Sequence, residues 1–274
     1  MCQSNKLHNH KNHTHPKLSN IRSNVYIEMF NKEEKTKDDD VVLAIKNEIN
    51  EKGKSIDLLL KLAQALCLQF RYKDALKVCD EVLLLDKTNF KARRIKAIRY
   101  MTTGQIDKSL DLFKELEKES DDKLDISYRI ALCYFYKNEY EKAKELFYNS
   151  FSLCHENNEM YIAILYWYII SKMCLKEDIS SALKMYYQMD VGHHIGYDYF
   201  IRVFNGEDYK EYEELSKVDN LTRLIYLVGL YYYFEYKGEY TKANEYFSKA
   251  LKCDEYWSSF SGLAIWYKKI KETE

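Results

Sequence analysis

Small residues recur at a fixed interval of 34 through residues 56–150, and that spacing limits the fold more tightly than any other feature. Ala75, Ser109 and Ala143 stand 34 apart, each opening a similar segment: Tyr72 precedes Ala75, Ile106 precedes Ser109 and Tyr140 precedes Ala143. Twelve residues upstream of each lies a second small residue, Ala63, Ala97 or Ala131, followed three positions later by Leu66, Tyr100 or Tyr134. A period of this length is one supersecondary unit, and small residues on its two arms let their backbones approach closely. With only 1 proline and 8 glycines, the chain lacks the punctuation of a sheet-rich fold, so the arms are predicted to be helices joined by short turns near Arg71, Gly104 and Asn138. One such hairpin leaves an apolar face uncovered, and stacking its neighbours covers it. The fold class expected is all-α.

The same reading divides the chain. Residues 1–37 form a His-, Asn- and Lys-rich arm and lead-in with too few apolar residues to offset chain entropy by burial, so disorder is expected there. From Asp38 the pattern turns helical: Asp38, Asp39 and Asp40 suit a helix N-terminus, Val41, Val42, Ala44, Ile45 and Ile49 follow, and Gly53 ends the helix. A repeat domain over 38–274 then holds clear repeats at 56–89, 90–123 and 124–157. Between 158 and 221 the register loosens, Ala182 coming 39 residues after Ala143. Residues 160–170 there are apolar on all sides and are expected to be buried on more than one face. The pattern returns in 222–256 through Ile225, Val228, Gly229, Tyr232, Gly238, Tyr240, Ala243, Phe247 and Ala250. Phe260, Leu263, Ala264 and Tyr267 fit a last helix over 257–270, read as a cap with residues 268–274 facing solvent.

These segments resemble the tetratricopeptide repeat family across most of residues 56–267, and 34 is that family's period. The resemblance implies an α-solenoid, a right-handed superhelix of stacked antiparallel hairpins closed by a C-terminal capping helix. It also implies a function without catalysis: a scaffold that binds a protein or peptide segment along its concave side. The alternative implied is a regulator of the same class that responds to a peptide or small ligand.

The family's concave positions map onto Asp57, Leu60, Gln64, Cys67 and Leu68 in the first repeat, and onto Lys91, Arg94, Ile98, Met101 and Thr102 in the second. In the third they are Asp125, Tyr128, Leu132, Phe135 and Tyr136, and in the late hairpin Arg223, Tyr226, Leu230, Tyr233 and Phe234. Arg94, Tyr128, Phe135, Tyr136, Arg223, Tyr226, Tyr233 and Phe234 are the candidate partner-binding residues, because large rigid rings with a few arginines carry binding energy at low entropic cost. Either the groove is open to a partner, or a tightly wound superhelix or the N-terminal arm fills it and the rings are core. Family members that grip chaperone tails by their carboxylates place Lys and Asn where this chain has Leu60 and Gln64, so no such tail is expected as partner.

Other classes find little support. Lys and Arg total 42 against 43 Asp and Glu, a net charge of −1, so no field attracts nucleic acid or an anionic membrane. Residues 160–170 and 224–234 are apolar but each is 11 long, about half of what a membrane span needs. A secretory h-region is absent, and a cytoplasmic protein is expected. The seven cysteines include no C-x-x-C pair and fall mostly within apolar helical pattern, as free buried thiols do. No phosphate-loop, nucleophile-elbow or zinc-hydrolase signature occurs, so neither an enzyme nor a bound cofactor is expected. His8, His10, His13 and His15 make two H-x-H pairs able to chelate zinc, nickel or copper, read here as a polar arm with incidental affinity. His193 and His194 are read as exposed imidazoles in a glycine-bounded turn.

Overall fold

The computed structural model describes residues 37–154, 158–253 and 256–272. The N-terminal arm, with its candidate metal ligands His8, His10, His13 and His15, lies outside the described residues. Among those described are fourteen α-helices and no strand. In chain order they are α1 (Asp40–Lys52), α2 (Ile56–Leu68), α3 (Tyr72–Leu85), α4 (Phe90–Thr102), α5 (Ile106–Glu119), α6 (Lys123–Tyr136) and α7 (Tyr140–Ser150). Then follow α8 (Asn158–Cys174), the single turn α9 (Ser180–Leu183), α10 (Ile195–Phe204), α11 (Tyr209–Leu215), α12 (Asn220–Lys237), α13 (Tyr240–Leu251) and α14 (Phe260–Glu272). None is long and apolar enough to cross a membrane.

Several boundaries have a local cause. Side-chain oxygens of Asp39, Ser55, Asn89, Asp122 and Asp219 accept from backbone N–H groups in the first turns of α1, α2, α4, α6 and α12, filling donors a helix start leaves free. The hairpin turns close through one residue in the left-handed region: Phe70 (φ 60), Gly104 (φ 74) and Asn138 (φ 61), again 34 apart. Glycine and asparagine tolerate that backbone, and phenylalanine does so at a cost.

α2 packs on α3, α4 on α5 and α6 on α7, while α3 meets α4 and α5 meets α6, giving a continuous stack of antiparallel hairpins. Ala63, Ala75, Ala97, Ser109, Ala131 and Ala143 are buried at the contacts. Ser109 suits its small-residue position because its hydroxyl donates to the Ala97 carbonyl at 2.7 Å, so the polar group is satisfied inside the core.

Beyond α7 the stack changes. α8 carries Ile162, Ala163, Ile164, Leu165, Tyr166, Trp167, Ile169 and Ile170 fully buried, as its all-round apolar pattern predicts. It meets α7 on one side and both α10 and α12 on another, so α10 wedges where a regular array would place a second helix. Gly229 of α12 makes this possible: a Cβ there would lie 2.5 Å from the Phe200 ring of α10. α14 packs on α12 and α13, as a cap does, and also on α6, far back in the chain. Ile270 within the charged terminal run is buried, so that run does not face solvent throughout.

Candidate functional site

The eight candidate groove residues fall into two groups. In the first, Tyr128, Phe135 and Tyr136 of α6 are 2–3% exposed. Tyr128 meets Phe147 and Phe260 at 6.0 and 5.5 Å between ring centroids, and Phe135 meets Trp167 and Tyr232 at 5.0 and 5.6 Å. Tyr136 stacks on Tyr267 at 5.2 Å and 10° and donates its hydroxyl to the Phe260 carbonyl at 2.9 Å. Arg94, half-buried beside them, donates to Asp125 at 2.7 and 3.1 Å, and Arg129 donates to the same carboxylate at 2.9 Å. Burial works against the Asp125 charge, yet Arg129 and Arg94 hold its carboxyl below the usual range.

In the second group, Tyr226 is fully buried and donates to the Tyr209 carbonyl, with Phe200 5.7 Å away. Phe234 stacks on Tyr246 at 5.5 Å and 10°. Tyr233 is half-buried against Phe200 and Phe204, and Arg223 is exposed. Buried rings, joined through Trp167, Tyr166 and Phe200, take the place of one open aromatic strip.

Of the two possibilities for the groove, the filled one holds at these rings, and among the described residues α14 and α10 contribute to the filling. α14 and the turn before it reach every one of the first three hairpins. Tyr72 shares a 2.6 Å hydrogen bond with Ser258, Tyr267 donates to the Met101 carbonyl at 2.6 Å, and Tyr136 bonds to Phe260. The large aromatics of α14 were the legible signal: a cap needs a polar outer face, and this helix buries Leu263, Ala264, Ile265, Trp266 and Tyr267 in succession.

Filling is uneven along the array. Tyr128, Leu132, Phe135 and Tyr136 are buried at the concave positions of α6, whereas on α4 only Met101 and Thr102 are, and on α2 none. Asp57, Gln64 and Leu68 on α2 stay exposed, Leu68 at 82%. Between the filled and open parts lies a cavity of about 280 Å³, where Arg99 and Arg129 face His193, His194, Tyr197 and Phe260.

The Gly192–His194 turn places both imidazoles near Glu159 at the start of α8, a partner that sequence reasoning missed because nothing in the pattern pairs that turn with that helix. His193 is exposed as expected, but His194 is largely buried. Burial, with His193 beside it, pushes His194 below the ordinary imidazole value, against the pull of Glu159.

No family model matches the chain, and no curated protein matches it. Among solved structures it is similar to a chain in the "Structure of Naa15/Naa10 bound to HypK-THB", with 16% identity and a TM-score of 0.35 over 94% of this chain and 39% of that one. The chain thus spans about two fifths of the length of that protein.

Proposed function

We propose that the chain is a non-enzymatic scaffold of the tetratricopeptide class, acting in the cytoplasm, that holds a protein or peptide segment on its concave side. The observation that carries the reading is the uneven filling of that side. Along α6 the surface accepts an aromatic helix of the chain itself, through ring stacking and tyrosine-to-carbonyl hydrogen bonds. On α2 and the outer half of α4 the equivalent positions, Asp57, Gln64, Leu68 and Lys91, are exposed. A segment entering there would extend the row of contacts that α14 makes farther along. The balanced charge favours a mixed polar and apolar partner over nucleic acid.

The test is affinity capture from native lysate with the wild type and with a variant carrying Gln64→Lys and Leu68→Glu. Both side chains are exposed, so the unfolding midpoint should stay within about 0.5 kcal/mol of wild type in stability terms. Loss of specific partners from the variant is the expected result. An unchanged partner set would place any binding surface elsewhere.

A second reading, a regulator responding to a peptide or small ligand, draws on the cavity between α4, α6 and the Gly192–His194 turn. Its about 280 Å³ lies near the low end of small-molecule sites, and its walls join apolar surface to two guanidinium groups.

A further inference from the structure

Glu159 stands in the first turn of α8, and the Gly192–His194 turn closes over it. The Nδ1 atoms of His193 and His194 each lie 3.4 Å from the same carboxylate oxygen, Glu159 Oε2, and the three potential ligand atoms lie within 4.8 Å of one another. Gly192 adopts φ +51, a backbone that favours glycine, and a Cβ on it would sit 2.4 Å from Glu159 Oε1, so the turn lies directly against the carboxylate. His194 Nδ1 is enclosed without a hydrogen-bond partner among the described residues.

The three groups turn their ligand atoms toward one another. The two rings are 4.2 Å apart between centroids. With both Nδ1 atoms unprotonated the three groups aim lone pairs at one another, as a ligand set does, whereas a proton on either Nδ1 makes that ring a donor to Glu159. A dication among the three atoms accepts all three lone pairs at once. Zinc bonds imidazole nitrogen and carboxylate oxygen at roughly 2.0–2.2 Å, which sets donors on a tetrahedron about 3.3–3.6 Å apart. The two nitrogen-to-oxygen separations of 3.4 Å already match that edge.

We propose that Glu159, His193 and His194 form a binding site for one divalent cation of the zinc class, with a fourth position left to water or to a donor from a bound ligand. Both imidazoles also line the cavity of about 280 Å³ that Arg99 and Arg129 enter, so a ligand held there has the cation within reach. The ion would tie the Gly192–His194 turn to α8 and fix one wall of that cavity.

The H-x-H pairs of the arm are also able to chelate metal, so the test uses the full chain carrying His8→Gln, His10→Gln, His13→Gln and His15→Gln. Calorimetric titration of this background with Zn²⁺ should give one site per chain, and cobalt substitution should give a visible spectrum of nitrogen and oxygen ligation. Adding His194→Ala or Glu159→Gln should weaken zinc binding by roughly 100-fold, at least as much as loss of an outer-shell partner. His193→Ala should do the same without touching the fold, since that side chain is 72% exposed, and its circular dichroism should match the background. Uptake no stronger in the background than in the His193→Ala, His194→Ala double variant would overturn the proposal. So would a near-ultraviolet thiolate band in the cobalt protein, which would move the metal to a cysteine.

Discussion

Asn138 shows how much one residue can decide in an array of this kind. It holds φ 61 at the α6–α7 turn, where Gly104 and Phe70 hold the same conformation one and two periods earlier. A β-branched side chain is the poorest occupant of that region, so Asn138→Val should cost about 1 to 2 kcal/mol in chemical denaturation, while Asn138→Gly should leave the midpoint near its original value. Five residues on, Ala143 is fully buried where α6 meets α7. Ala143→Leu forces an isobutyl group into that contact and should cost about 1 to 3 kcal/mol by the same measurement. The thiols obey burial as well: Cys79, Cys133 and Cys174 are pushed up to about 12 and Cys154 to about 11, each by desolvation first. A group raised that far stays protonated at neutral pH, where the nucleophilic thiolate is absent. Alkylation of the native chain at pH 8, read by mass spectrometry, should therefore spare these four, and denaturant should expose all of them.

At the scale of elements, α14 separates what a pattern reveals from what it leaves open. Its amphipathic spacing is plain in Phe260, Leu263, Ala264 and Tyr267, and the helix was predictable from it. Its neighbour was not: periodicity says that a face is buried but not against what, and the Tyr267 to Met101 hydrogen bond joins residues 166 apart. Tyr267→Phe removes that bond and keeps the ring, and should cost about 1 kcal/mol. Tyr267→Ala also empties the stack on Tyr136 and should cost about 3 to 5 kcal/mol. If both variants unfolded at the wild-type denaturant concentration, α14 would not occupy the groove in solution. α10 is the parallel case, since Gly229 reads as a repeat's small residue whether its neighbour is the usual helix or, as here, the Phe200 ring.

For the whole molecule, the hairpin stack through α7 was legible because each hairpin depends on local spacing and on its sequence neighbours alone. The identity of what fills the concave side was not, because it depends on contacts between segments far apart in the chain. The sites divide along the same line. The eight groove residues could be named from register, yet whether they are surface or core depended on α14 and α10; Glu159 was out of reach because its partners come from a turn outside the repeat pattern. The long-range ties also change how the fold should come apart. In an open solenoid the hairpins can unfold nearly one at a time, whereas here Ser258, Phe260 and Tyr267 bind the far end to Tyr72, Tyr136 and Met101. Tyr128 on α6 and Tyr226 on α12 accordingly sit in one continuous buried cluster. Truncating either to alanine leaves a cavity costing about 3 to 5 kcal/mol, and both losses together are comparable to a domain's total stability of about 5 to 15 kcal/mol. Each single variant should lower one shared transition, with helix content by circular dichroism and burial by tryptophan fluorescence moving together, and the Tyr128→Ala, Tyr226→Ala double variant should be mostly unfolded near room temperature. Two separate transitions, with only one displaced by Tyr128→Ala, would mean that α14 does not couple the hairpin stack to the helices that follow α7.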